Sequence, residues 1–258
     1  MPEKKNMQKS HKKTAALILA GGTGERFGGN LPKQYRILGG LPVLCHSIRK
    51  FLEINEIQDA FVIIHEDHAA LYRQALSCPS LPEDCAAKLH LPVIGGTTRQ
   101  ESVLNGLKAA AASRPDYVLI HDAARPLVTR EIIRNACNAL QNHSAVLPGI
   151  PVADTLKSAC PETGTIKATI DRSNVFQAQT PQGFDFRILY DAHLSYREAG
   201  ATDDIALIEK AGITAKIIPG HRHNFKLTET EDFLLAEALL RAATDEESTT
   251  AEPTKKYG

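Results

Sequence analysis

The stretch LAGGTGERFGGNLPKQY, Leu19 to Tyr35, decides the reading of this chain. It grows out of a compact apolar run, AALILA at Ala15–Ala20, that ends on Gly21-Gly22. An apolar run of that length closed by glycines predicts a buried strand opening into a loop. Gly21, Gly22 and Gly24 let backbone N–H groups approach an anion without side-chain obstruction. Arg26 and Lys33 add two positive charges to the same stretch. A triphosphate needs that combination, because charge on the transferring group must be stabilised during attack.

Two commoner phosphate loops do not fit. A dinucleotide-binding G-x-G-x-x-G needs glycine at position 27, where Phe27 stands. A Walker A loop needs Lys-Ser or Lys-Thr after Gly29, where Asn30-Leu31 stand. The order G-G-x-G-x-R followed by Pro-Lys is similar to the loop of sugar-nucleotide-type nucleotidyltransferases.

Outward from the loop, short apolar strands alternate with helical periodicity. Strands are predicted at Ala60–Ile64, Leu91–Ile94, Tyr117–Ile120, Ala145–Pro151 and Ala215–Ile218. Helices are predicted at Pro42–Leu52, His68–Leu76, Arg99–Ala112, Glu131–Leu140, Phe186–Ala199, Asp204–Ala211 and Glu231–Ala243. The alternation predicts an α/β, Rossmann-like, mostly parallel sheet with helices on both faces. The polar segment 152–180, with strand-like pieces at Thr155–Ser158 and Thr165–Ile170, breaks the pattern and reads as a protruding β-arm that reaches toward a partner. Residues 1–13 read as a disordered basic tail, 14–243 as the nucleotidyltransferase domain, and 244–258 as a disordered tail or linker.

Composition removes several classes. Thirty basic residues balance thirty acidic ones, so the chain lacks the basic excess of a non-specific nucleic-acid surface. No apolar stretch approaches the ~20 residues of a membrane span. Cys45, Cys78, Cys85, Cys137 and Cys160 form no C-x-x-C pair and no zinc-ligand spacing with histidine. Their odd, scattered count points to free thiols in a reducing compartment, hence the cytoplasm. Cys137 shares an apolar helix face with Ile133 and Leu140 and reads as core.

Other segments carry chemistry in the right places. His121-Asp122-Ala123-Ala124-Arg125-Pro126 follows a central strand, where open α/β sheets bind ligands. Asp122 there reads equally as a ligand for sugar hydroxyls or a metal and as a turn aspartate. Gly95-Gly96-Thr97-Thr98 precedes a helix and offers backbone donors, with Ser102 in its first turn; a plain capping segment reads as well. Arg172 fits a bidentate phosphate clamp or a solvated charge. Thr202-Asp203-Asp204 reads as a helix N-terminus, and Thr228 with Glu231 as a capping box.

Taken in order, LAGGTGERF…LPKQY, GGTTRQESVLNGL, HDAARP, VADTLK, Asp171-Arg172, QTPQGF, TDD and NFKLTETED resemble the 2-C-methyl-D-erythritol 4-phosphate cytidylyltransferase family from Ala15 to Leu240. The resemblance implies cytidylyl transfer from CTP to methylerythritol phosphate with release of pyrophosphate, in non-mevalonate isoprenoid synthesis. It implies that Arg26 and Lys33 stabilise the transition state, and that Arg172 and Lys226 position the sugar phosphate. Ala20, Gly21, Gly22, Gly24, Gly96, Thr97 and Ser102 match CTP-contacting positions. Asp122, Arg125, Thr155 and Thr180 match positions near the second substrate. Family members often carry an acid where Thr97 stands, so this chain departs from the pattern there. Mg2+ is implied on the CTP phosphates, with no protein metal site. The 152–180 segment matches an arm that embraces a second subunit, so a homodimer is implied, with Arg172 acting in the neighbour's site. VIIHEDHAALY and QTPQGFDF resemble the versions of the family fused to a cyclodiphosphate synthase. A ribitol 5-phosphate cytidylyltransferase and a non-catalytic nucleotide-binding module are the competing readings.

Overall fold

The computed structural model describes residues 12–22, 31–77, 87–196 and 200–250, with the backbone alone for 244–250. Arg26, Gly24, Cys78 and Cys85 therefore lie outside the described residues.

The first strand, β1 (Thr14–Ala20), alternates its side chains between two cores, as a strand buried on both faces must. Ala16 and Ile18 face one core, Ala15 and Leu17 the other. After a 3-10 turn at Lys33–Tyr35, a two-residue hairpin, β2 (Ile37–Leu38) and β3 (Leu41–Pro42), leads into α1 (Val43–Leu52). Pro42, at φ −56°, lacks the N–H that the first helical turn leaves unpaired anyway. Then follow β4 (Ile57–Ile64), α2 (Ala69–Leu76), β5 (Val93–Ile94), α3 (Arg99–Ala110), β6 (Tyr117–Asp122), α4 (Arg130–Ala139) and β7 (Ala145–Pro151). The second half holds β8 (Leu156–Ala159), β9 (Ile166–Ile170), β10 (Phe176–Ala178), β11 (Gln182–Asp185), α5 (Phe186–Ser195), α6 (Asp204–Lys210), β12 (Lys216–Pro219) and α7 (Thr230–Thr250).

The central eight-stranded sheet runs β5–β4–β1–β6–β11–β7, with β10 and β12 also bonded to β7. The pairs β1–β4, β1–β6, β4–β5 and β7–β12 are parallel. β11 runs antiparallel to both β6 and β7, and β10 antiparallel to β7. The sheet is thus mixed, and the two opposing strands, β10 and β11, are ones the sequence pattern does not assign. β11 holds Gly183, whose missing Cβ would stand 2.8 Å from Val146 and 2.9 Å from Leu119. A glycine inside a four-residue strand weakens both periodicity and propensity, so the segment does not read as β.

Helices cover both faces. Ile48, Phe51 and Leu52 of α1 pack with Ile133 and Ala136 of α4 on one side. Val103 and Leu107 of α3 pack with Leu189 of α5 and Leu207 and Ile208 of α6 on the other. Side-chain caps fix the helix starts: Thr98 and Glu101 form a capping box on α3, Thr129 caps α4, Asp185 caps α5 and Asp203 caps α6.

Three sequence expectations are corrected. The excursion is narrower than 152–180, because β10 has already rejoined the central sheet. The hairpin β8–β9 pairs only with itself and turns through Gly164 at φ +68°. The last helix continues past Ala243 to Thr250. Its start is held by Asp232 rather than Glu231: the Asp232 carboxylate accepts from the Thr228 N–H, the Thr228 hydroxyl and the Glu229 N–H. Four positions beyond Thr228 is within reach of an aspartate when the chain between turns tightly. No helix among the described residues is long and apolar enough to cross a membrane.

Candidate active site

The carboxyl ends of β1, β4, β5 and β6 open onto one cleft of about 540 Å³. Parallel strands all deliver their loops to the same edge, so residues far apart in sequence meet there. β1 supplies Ala20, Gly21 and Gly22; β4 supplies His65; the loop after β5 supplies Gly96, Thr97 and Thr98; and β6 supplies Asp122. Lys33, Lys226 and Thr228 complete the wall.

The glycine loop is anchored by a residue the sequence reading overlooked. Gln34 is buried, and its amide donates to the carbonyls of Ala20 and Gly22, each at 2.8 Å. Those bonds hold the carbonyls of Ala20 and Gly22 where the chain leaves β1. The signal was present in LPKQY, one position beyond the lysine. Lys33 reaches across the cleft to the Leu227 carbonyl at 2.7 Å, next to Lys226.

The loop before α3 is held by its own capping. The Glu101 carboxylate accepts from the Thr97 N–H, the Thr97 hydroxyl and the Thr98 N–H, which holds it well below the usual carboxyl range. Ser102 Oγ accepts from the Gly96 N–H at 3.0 Å and donates to the Thr98 carbonyl at 2.9 Å. Glycine is required at 96 because a Cβ there would overlap the Glu101 side chain.

Asp122 carries the only carboxylate among the described cleft-lining residues. Burial by itself would raise it. Lys226 (Nζ to Oδ2 2.9 Å), Arg99 and Arg125 (Nε to Oδ2 3.8 Å) outweigh burial and hold it at about 2. Arg99 also lines the cleft and was not singled out from the sequence. It is tethered by Asp204, whose side chain is 1% exposed, at 2.7 Å, and Asp204 also meets His193 Nε2 at 3.0 Å. The TDD segment therefore has two roles: Asp203 caps α6 and Asp204 orients a cleft arginine.

The remaining expected residues lie elsewhere. Arg125 donates to the carbonyls of Asn224 at 2.8 Å and Ala178 at 3.5 Å, so it ties three loops together behind the cleft. Thr180 is buried, with its hydroxyl between the Asp122 N–H and the His121 ring. Thr155 and Arg172 sit exposed beside the hairpin β8–β9 and are not part of the cleft wall. Cys137 is buried in the core of α4, and burial pushes its thiol up to about 12, far from a nucleophile's range. Among the described residues no group of three His, Cys, Asp or Glu side chains could hold a metal ion.

Comparison with known proteins agrees with this architecture. The family model described as IspD, 2-C-methyl-D-erythritol 4-phosphate cytidylyltransferase, matches residues 14–242. A relative named bifunctional enzyme IspD/IspF, from Paramagnetospirillum magneticum, is 42% identical over 227 residues, covering 88% of this chain and 56% of that protein. A second of the same name, from Rhodospirillum rubrum, is 42% identical over 89% of this chain and 57% of its own length. The chain thus spans little more than half the length of these curated relatives. Among solved structures, 4-diphosphocytidyl-2C-methyl-D-erythritol synthase from Anaerococcus prevotii superposes with a TM-score of 0.75 at 29% identity, covering 90% of this chain and 99% of that one. The glycine loop, the capped α3 loop and the Asp122–Lys226 pair are thus set in a fold shared with such synthases, and the chain belongs to the 2-C-methyl-D-erythritol 4-phosphate cytidylyltransferase family.

Proposed function

We propose that the protein transfers a cytidylyl group from CTP to 2-C-methyl-D-erythritol 4-phosphate, releasing pyrophosphate, in the cytoplasmic synthesis of isoprenoid precursors. One observation carries the reading: a single cleft at the strand ends unites the Gly21–Gly22 backbone, Lys33, the loop Gly96–Ser102, Asp122 and Lys226. The glycine backbone and Lys33 suit a triphosphate, and the capped loop before α3 suits the base and ribose.

The nucleophile is a phosphate oxygen of the second substrate, largely ionised at neutral pH, so the protein need supply no general base. The obstacle is the approach of two anions. Lys33 and Arg26 neutralise charge on the α-phosphate, and Lys226 and Arg172 hold the attacking phosphate in line. Arg172 and Thr155 flank an exposed hairpin that carries Ile166 at 63% and Ile170 at 44% exposure. We read that hairpin as the dimerisation arm, which would deliver Arg172 to the partner's cleft. Asp122, already paired with Lys226, does not make a protein cage for a cation, which fits a magnesium ion that arrives on the CTP phosphates. Such an ion would supply charge neutralisation at the triphosphate.

Incubating the purified protein with CTP and methylerythritol phosphate should release pyrophosphate. Ribitol 5-phosphate should give far less. The absence of release with either alcohol phosphate would remove the reading in favour of a nucleotide-binding module.

A further inference from the structure

His121 is an unusual residue for the middle of a mixed sheet. It is fully buried on β6, with its ring against Phe51 (centroids 4.9 Å apart), at a position where valine or leucine would pack without the cost of burying two polar nitrogens. Both nitrogens have partners. Nε2 meets the Arg125 carbonyl at 3.3 Å, and Nδ1 meets Thr180 Oγ1 at 2.9 Å. A carbonyl can only accept, so the ring proton sits on Nε2. Burial lowers the ring's pKa to about 3 and keeps it neutral, so Nδ1 accepts and the Thr180 hydroxyl donates to it. The Thr180 oxygen is left to accept, and it does so from the Asp122 N–H at 3.1 Å. The polarity of the whole relay is therefore fixed: Asp122 N–H to Thr180, Thr180 O–H to His121, His121 N–H to Arg125.

We propose that His121 is a positioning residue for the sugar-phosphate half of the cleft, acting through Thr180 to fix the Asp122 backbone and thereby the carboxylate that holds Lys226. The inference rests on the cytidylyltransferase reading for its kinetic consequences and on geometry alone for its hydrogen-bond polarity. Alternation along β6 turns His121 toward α1 and Asp122 toward the cleft, so the histidine never touches substrate. Thr180 is thereby held in one orientation beside Asp122, with its hydroxyl shared between the ring and the Asp122 N–H. The Thr180 backbone is clamped from the other side as well, because Asn224 Nδ2 donates to its carbonyl at 2.8 Å.

The test uses the full chain and four substitutions: His121→Leu, His121→Asn, Thr180→Val and Thr180→Ser. His121→Leu and Thr180→Val should each raise KM for methylerythritol phosphate about 10-fold, the ratio expected from one lost buried hydrogen bond, with KM for CTP within about twofold of wild type. The double variant should be no worse than either single, because both cut one relay. His121→Asn, whose Oδ1 can accept from Thr180, and Thr180→Ser, which keeps the hydroxyl, should restore most of the loss. Equal increases in both KM values, additive effects or failure of the conservative variants to rescue would overturn the proposal. Should His121→Leu not fold, His121→Asn and the ring-nitrogen measurement still decide. Imidazole nitrogen NMR of the resting protein is independent of the reaction: a neutral Nε2–H tautomer at pH 7 supports the relay, and an Nδ1–H tautomer refutes it even if no turnover is found with any alcohol phosphate.

Discussion

Replacing Arg99 by methionine removes one member of a buried ion cluster, and the structure sets the size and the sign of the effect. Asp204 is 1% exposed, and its Oδ2 lies 2.7 Å from the Arg99 guanidinium. At an effective dielectric near 20, a contact of that length is worth about 4–6 kcal/mol of direct attraction. Removing one partner of a buried pair costs about 3–5 kcal/mol, because the other charge stays desolvated. His193, 3.0 Å from Oδ1, softens this, so a loss of about 3 kcal/mol at pH 8 is expected for Arg99→Met. Asp204→Asn should cost less, about 1–2 kcal/mol, because the Arg99 side chain is 29% exposed and keeps Asp122 and Asp203 nearby. The double variant should recover about 2 kcal/mol relative to the sum of the singles.

The pH dependence follows from the same cluster. In the wild type, burial favours the protonated Asp204, but Arg99 and His193 prevail and depress it. Its contribution is therefore present above the unfolded carboxyl value and is lost as pH falls through the depressed folded value. In Arg99→Met burial prevails, the folded value rises above the unfolded one, and the variant gains relative stability as pH falls. The gap between wild type and Arg99→Met should therefore narrow as pH falls from 8 into the carboxyl range. Urea unfolding followed by circular dichroism suits a chain without tryptophan. A penalty under about 1 kcal/mol at pH 8, or one that grows on acidification, would refute the account of this cluster.

Other expectations follow from the cleft. Lys33→Ala should lower turnover on the order of 10²–10³-fold, and near-normal turnover would remove it from the machinery. Arg172→Ala should raise KM for methylerythritol phosphate more than KM for CTP, and mixing it with a Lys33→Ala protomer should restore part of the activity if Arg172 serves the neighbouring cleft. Gly96→Ala should weaken CTP binding about 10-fold or more, because the new methyl collides with Glu101, the residue that shapes the loop; calorimetric titration with CTP would read the change.

The sequence by itself determined the longer strands and helices of the core and the glycine turn that follows β1. Strands such as Ala15–Ala20 and Tyr117–Ile120 are short, wholly apolar and closed by Gly or polar residues, so local pattern suffices to find them. Helix starts at Thr98, Asp185 and Asp203 follow from residues that cap through bonds only a few positions long. Motif order identified the family, and the motifs around Gly21, Lys33, Gly96, Asp122 and Lys226 each supply wall to one cleft. The tertiary structure decided what depends on distant partners. β11 is a strand because β6 and β7 leave a gap that only a glycine-bearing segment fills, although its own residues do not alternate. Arg125 turned out to be a brace, since the carbonyls it binds lie 53 and 99 residues away. Gln34, Arg99 and His121 took on roles for the same reason: a hydrogen bond across the sheet leaves no periodicity in the sequence. The polarity of the His121 relay needs all three of its partners in place, and they come together only when β6 and the 179–181 segment pack side by side.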